Sequence, residues 1–123
     1  MPKPQLILDH EAALTGSAIR EKVQDAKTLE TVLRKAIGIL QEQGVYAAIL
    51  YLHAKEKETG KVVALHLMQL CGSVVGGTGF DAEAPKDQLT YLSTNVTNDI
   101  AKTLLVRHLW EQTLVYGIYH CKI

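Results

Sequence analysis

The stretch that decides the fold runs from Gln43 to Lys57 and reads QGVYAAILYLHAKEK. Between Val45 and Ala54 most side chains are apolar or aromatic, and charged residues follow abruptly. A helix that is apolar on most of its sides is buried against several neighbours, so this segment predicts the central core helix. The glycines Gly44 and Gly60 are placed to end the preceding helix and this one.

The region before this stretch also predicts helical structure. From Ser17 to Leu40, apolar side chains recur every three or four residues, which is the spacing of one helix face. Glu30 interrupts that face. Two interpretations remain open: one long helix with Glu30 on its apolar side, or two helices that meet near Lys27, with Asp25 or Thr28 as the cap.

The region after Gly60 predicts two further helices separated by a loop. Lys61 to Leu70 predicts the first of them. Gly72 to Pro85 reads GSVVGGTGFDAEAP, which is rich in glycine and has no helical period, and therefore predicts a flexible loop. Asp87 to Ser93 predicts a short helix.

The end of the chain predicts a long final helix, capped by Thr97 or Asn98 and ending near Cys121. Its apolar residues between Ile100 and Tyr119 cover more than one face. In a small protein, apolar side chains beyond those that the core can bury indicate a contact with another subunit.

These segments together predict an all-α fold, a compact bundle of five to six helices with one Gly-rich loop at about residues 72–85. The 123 residues and the hydrophobic content of 47% fit a single domain over residues 1–123. Residues 1–16 form either an ordered N-terminal arm or a disordered tail.

Composition limits the classes of function. Thirteen basic and thirteen acidic residues give a net charge of +0, so only a local segregation of charge could attract nucleic acid. No stretch has the character of an export signal or a membrane span, so we expect no membrane partner. Cys71 and Cys121 fit no disulfide framework, and we expect reduced thiols in a cytoplasmic protein.

The sequence lacks the usual motifs of catalysis and metal binding. Gly72 and Gly77 have the separation found in a phosphate-binding loop, but Thr78 stands where that motif needs a lysine. The histidines and cysteines lack the spacing of zinc ligands. No serine or cysteine lies in a known activating context. We therefore predict a protein that is not an enzyme and has no cofactor and no metal.

The basic residues provide the candidate site. They recur along the first helical region, after the core helix and on the last helix, where they could contact the phosphates of RNA. Interleaved acidic residues leave a second interpretation open for most of them, a solvated helix surface with ion pairs four residues apart. The predicted RNA-backbone contacts are Arg20, Arg34, Lys35, Lys55, Lys57 and Arg107.

Aromatic side chains that could stack on unpaired bases are few. Most lie within apolar helical runs, and only Phe80 and Trp110 are expected at the surface. RNA binding would therefore involve the RNA backbone and be independent of sequence.

Two segments resemble a known family. The stretch QGVYAAILYLHAKEK, with a glycine that opens a helix and the Ala54-Lys55 end, is similar to a segment of the small α-helical subunit of type III CRISPR-Cas RNA-guided effector complexes, in particular the Cmr-type small subunit. The ending LLVRHLWEQTLVYGIYHCK resembles the long C-terminal helix of the same group. Together the two segments cover about a third of the chain.

The resemblance implies a non-catalytic subunit of an antiviral ribonucleoprotein. Such a subunit stacks on copies of itself, head to tail, along CRISPR RNA (crRNA) and target RNA. Its other partners are the RAMP-fold backbone subunits and the large subunit of the effector. A second hypothesis omits nucleic acid: a homodimeric adaptor or regulatory protein, closed through the Ile100 to Tyr119 helix.

Overall fold

A computed structural model describes the backbone of residues 5–123 and the side chains of residues 8–123. Within this range the chain forms no strand, which confirms the all-α bundle. Six helices follow one another in chain order: α1 (Gln5–Lys22), α2 (Ala26–Gln43), α3 (Val45–Lys55), α4 (Lys57–Val75), α5 (Pro85–Asn95) and α6 (Ile100–His120).

The region from Ser17 to Leu40 contains two helices, as the second interpretation predicts. Asp25 caps α2, because its Oδ1 accepts hydrogen bonds from the backbone N–H groups of Lys27 at 3.0 Å and Thr28 at 3.2 Å. The hydroxyl of Thr28 donates to the same carboxylate, and this bond contributes most to lowering the pKa of Asp25.

The predicted N-terminal arm is helical from Gln5 onward and belongs to α1. Leu8 and Ala12 are buried in the core, so residues 8–16 pack as an integral part of the bundle. Residues 1–4 of that prediction lie outside the described residues.

The central stretch forms a core helix that packs against several neighbours, as expected, since α3 contacts α2, α4 and α5. Its burial is confined to one face: Val45, Ala48, Ile49 and Leu52 are buried, whereas Leu50 is 48% exposed. The expectation that Gly60 ends this helix is wrong.

The chain instead turns at Glu56, and Gly60 lies within α4. A Cβ atom at Gly60 would lie 2.1 Å from the carbonyl oxygen of Leu52. Gly60 therefore allows two helix backbones to touch, a role that its position in the sequence does not distinguish from helix termination.

The glycine-rich loop begins four residues later than predicted. Gly72 lies inside α4, and the ring of Phe80 covers it so closely that a Cβ would lie 2.0 Å from a ring atom. Helix α4 ends at Val75 and is capped by Gly76, whose φ of 87° favours glycine. The hydroxyl of Tyr91 donates to the Gly76 carbonyl and holds this helix end against α5.

The cap of the last helix is Asp99, so the prediction of Thr97 or Asn98 is wrong. The carboxylate of Asp99 accepts from the backbone N–H of Lys102 at 3.1 Å. The side chains of Thr97 and Asn98 instead donate backward, to carbonyl groups in the last turn of α5. These two side chains therefore cap the end of α5, and the next residue, Asp99, caps the start of α6.

Helix α6 is central to the packing, since it lies against α1 and α2 and also touches α3 and α4. Helix α6 approaches α1 so closely that a Cβ at Gly16 would lie only 2.8 Å from the backbone nitrogen of Gly117. Trp110 is fully buried and donates from Nε1 to the Leu67 carbonyl at 2.9 Å. The prediction of a surface position for Trp110 is therefore wrong.

A buried polar contact attaches α5 to α3. The Nε2 atom of His53 lies 2.7 Å from Oε1 of Gln88, whose Nε2 donates to the Ala82 carbonyl at 2.9 Å. Since Oε1 of an amide can only accept, Nε2 of His53 carries a proton. Gln88 is only 1% exposed, so this chain of bonds fixes the start of α5 and the end of the loop together.

Two glycine substitutions test the role of the α3–α4 contact. We expect Gly60→Ala to lower the free energy of unfolding by about 3 kcal/mol, because the new methyl group overlaps the Leu52 carbonyl. Gly38→Ala is the matched control: Gly38 lies inside α2 with no atom within 4 Å of the added Cβ. It should raise the stability by about 0.5–1 kcal/mol. Urea denaturation measures both values, and equal effects of the two substitutions would contradict the close contact.

Candidate nucleic-acid interface

Five helix termini meet at one end of the bundle. The ends of α1 and α6 border one depression, which Arg20, Val23 and His120 help to line. The start of α2 and the residue that follows α3 border a second depression, between Thr28 and Glu56. Helix α4 starts directly after this residue, so its first turn belongs to the same end.

This end collects basic residues, and we call it the basic end. It contains eight of the thirteen basic and five of the thirteen acidic residues, a formal charge of +3. A chain without net charge therefore has one positive end. The basic residues of this end are Arg20, Lys22, Lys27, Arg34, Lys55, Lys57, Lys61 and Lys122, and the acidic residues are Glu21, Asp25, Glu30, Glu56 and Glu58.

Most of the acidic groups at this end accept hydrogen bonds from the protein itself. Glu30 accepts from Arg34 at 2.9 Å and from Lys122 at 3.3 Å, and these bonds, that of Arg34 first, lower its pKa. Glu58 lies 3.3 Å from Lys61. Glu56 accepts a hydrogen bond from the hydroxyl of Tyr51 across the turn between α3 and α4.

Several ammonium groups at this end remain available. Lys22, Lys55 and Lys57 are exposed, and their side chains make no hydrogen bond or ion pair to any of the described residues. Lys57 also has a φ of 49°, a left-handed conformation that is unfavourable for a residue with a Cβ. These three lysines are the groups best placed to contact an external phosphate.

The structure brings four of the six predicted residues to the basic end. Lys55 and Lys57 project at the turn between α3 and α4. Part of the Arg20 guanidinium already binds within the protein, because its Nη1 donates to the Val23 carbonyl at 2.7 Å. Arg34 lies two turns into α2 and pairs with Glu30.

The remaining two predicted residues lie elsewhere. Lys35 is exposed on α2, about 100° around the helix from Arg34. Arg107 lies near the far end of α2, where it donates to the Gln41 carbonyl at 2.6 Å and pairs with Glu111 at 3.4 Å. These contacts hold α6 to α2 and leave Arg107 outside the basic end.

Four basic residues of this end are missing from the predicted RNA contacts: Lys22, Lys27, Lys61 and Lys122. Lys22 lies in the last turn of α1, where cations are favourable for the helix dipole, and that signal could have identified it. Lys122 reaches Glu30 across 92 residues of sequence, a contact that local patterns do not reveal.

The aromatic residues expected at the surface do not form a stacking site. Trp110 is in the core, and Phe80 is half-buried, with its ring 6.0 Å from that of Tyr91 in an edge-on arrangement. Tyr46 and Tyr119 are exposed instead, by 41% and 63%.

Two of the groups considered for catalysis, Cys71 and Ser73, are engaged within the bundle, the first by burial and the second by a hydrogen bond. Burial raises the pKa of the Cys71 thiol to about 12, and Ser73 donates to the Leu70 carbonyl at 2.8 Å. In the described part of the chain, no three His, Cys, Asp or Glu side chains cluster as metal ligands would. None of the helices described between residues 5 and 123 is long and apolar enough to cross a membrane.

Comparisons with models of protein families, with curated proteins and with solved structures found no match to this chain.

The Tyr51–Glu56 contact gives a test at high pH. Burial, and then the bond to Glu56, raise the pKa of Tyr51 from 10.0 to about 12. The folded state thus holds the phenol proton more tightly than the unfolded state, so the stabilisation is complete below pH 10 and is lost between pH 10 and 12. At pH 9 we expect the wild type to unfold at a higher urea concentration than Tyr51→Phe. Towards pH 12 the difference between the two urea midpoints should disappear. A difference that is constant over this range would contradict the contact.

The left-handed conformation of Lys57 gives a second test. Lys57→Gly should raise the free energy of unfolding, by up to about 1 kcal/mol, because glycine adopts this φ without a steric cost. Lys55→Gly is the control, since Lys55 lies in the last turn of α3, where glycine is unfavourable. Chemical denaturation measures both, and a destabilised Lys57→Gly variant would contradict the observed conformation.

Proposed function

We propose that the protein is a non-catalytic small subunit of a type III CRISPR ribonucleoprotein effector complex, in which the basic end lies along the backbone of crRNA and target RNA. The observation that carries the proposal is the segregation of charge. The net charge of the whole chain offers no attraction for RNA, but one end has a charge of +3 and three exposed lysines without a partner among the described residues.

The form of the basic end supports binding to a backbone and not to bases. Its free donors are lysine ammonium groups, which attract phosphates as point charges and read no sequence. The exposed lysines are distributed over the termini of different helices, on a surface that an extended strand could follow. Contacts of this kind are individually weak and depend on salt.

The resemblance of two segments to the Cmr-type small subunit supports the assembly that we propose. Copies of the chain stack along RNA beside the RAMP-fold backbone subunits and the large subunit, in the cytoplasm. Glu42 and Asp99 lie at the end of the bundle that is farthest from the basic end. In a head-to-tail stack, these acidic residues of one copy would meet the basic end of the next copy. Linking several weakly binding copies raises the overall affinity by roughly 10² or more.

Substitution of two lysines tests the RNA contact. Lys55→Ala with Lys57→Ala should leave folding intact and reduce the magnitude of the slope of log affinity against log salt by roughly 1.4, since two phosphate contacts to single-stranded RNA are lost. Lys102→Ala is the control, because Lys102 is exposed at the opposite end of α6 from Lys122. Fluorescence anisotropy with a labelled RNA of arbitrary sequence measures both. An unchanged slope in the double variant would remove these lysines from the interface.

Co-purification from the native host at moderate salt tests the assembly. We expect RNA of guide length and RAMP-fold subunits with the wild type and less of both with the double lysine variant. Recovery of the protein free of RNA, as a dimer, would favour the second candidate, a homodimeric adaptor. The exposed apolar residues of α6 are the observation that supports that candidate.

A further inference from the structure

Helix α6 has an outward face that the bundle does not cover. Its exposed apolar side chains are Ile100 at 81%, Leu104 at 58%, Val115 at 38% and Tyr119 at 63%. His108, which is exposed, and Glu111, whose side chain is 30% exposed, lie between them. Steps of three or four residues separate all six, so they form one line along the helix. We call this line the α6 stripe.

The order of residues along the α6 stripe is symmetric about its midpoint. Counted from either end, the line reads apolar, apolar, polar, polar, apolar, apolar, with steps of four, four, three, four and four residues. If two copies of α6 lie antiparallel, residues whose numbers sum to 219 face each other. Ile100 then faces Tyr119 of the other copy, and Leu104 faces Val115.

The two polar residues decide between the possible orientations. In the antiparallel pair His108 of each copy faces Glu111 of the other, so an imidazole N–H donor meets a carboxylate twice. In a parallel pair each residue would face the same residue of the other copy. The two Glu111 carboxylates would then repel each other. Arg107 contacts only Oε1 of Glu111, which leaves the second oxygen to accept a bond.

We propose that the α6 stripe is a self-complementary interface through which two copies of this chain pair antiparallel about a two-fold axis. The axis passes between residues 109 and 110, so that every contact occurs twice. A 21-residue helix is about 30 Å long, which makes this a small interface, and we expect a reversible association. The inference rests on the exposed face of α6 and does not depend on RNA binding.

Sedimentation velocity over a range of concentrations tests the pairing in the absence of RNA. We expect a reversible monomer–dimer equilibrium for the wild type, and association weakened by roughly tenfold or more in Leu104→Glu and in Val115→Glu. Leu14→Glu is the matched control, since Leu14 is 57% exposed but lies on α1, against the groove with α4. Circular dichroism checks that all three variants fold. A wild type that stays monomeric, or a dimer that neither α6 substitution weakens, would overturn the proposal.

Charge exchange tests the register. His108→Glu and Glu111→Lys should each weaken the dimer, because the first places two carboxylates opposite each other and the second removes the carboxylate that accepts from His108. The double variant should restore it, as should an equal mixture of the two single variants, since opposite charges then face each other across the axis. Failure of both combinations to restore association would overturn the antiparallel register.

Cysteine cross-linking locates the partners directly. In a Cys121→Ser background, Leu104→Cys mixed with Val115→Cys should form a disulfide-linked dimer. Either variant alone should not, because the two copies of residue 104 lie about 16 Å apart along the helix pair. Efficient linkage of Leu104→Cys with itself would overturn the register. The Lys55→Ala, Lys57→Ala variant should dimerise normally, so loss of RNA binding and loss of pairing can be told apart.

Discussion

The arrangement of the helices depends on the contact between Gly60 and the carbonyl group of Leu52. Only a residue without a Cβ allows the first turn of α4 to lie directly on the last turns of α3. Because α3 ends and α4 starts beside this contact, the exposed Lys55 and Lys57 lie at the end of the bundle where α2 also begins. The close approach therefore holds in place the turn that carries two of the three available lysines of the basic end.

Much of the fold could be predicted from the sequence because helix periodicity and capping are local properties. The spacing of apolar residues and the carboxylate at Asp25 indicated α1 and α2, with the break between them in nearly the right place. Gly60 and Gly72 misled the prediction. A glycine that ends a helix and one that admits a neighbour look alike in sequence, and only the packing against Leu52 and Phe80 distinguishes them.

The candidate site was less predictable, because its character comes from contacts between distant parts of the chain. A net charge of zero conceals the +3 charge of the basic end, which appears only when the helix termini are placed in space. Arg107 binds Gln41 across 66 residues of sequence, and Lys122 binds Glu30 across 92 residues. Local charge patterns therefore indicated which residues are basic but not which of them are available.

The position of the loop between Gly76 and Ala84 has a consequence for how the bundle could be divided. This loop separates α1–α4 from α5 and α6, yet α6 packs on α1 and α2, and α5 packs on α3. A protease that cut the exposed glycines at 77 and 79 would therefore break the chain without separating its halves. Two fragments expressed separately, one ending and one starting in this loop, would each expose apolar surface that the other covers in the bundle, so the bundle is a natural candidate for reconstitution by fragment complementation.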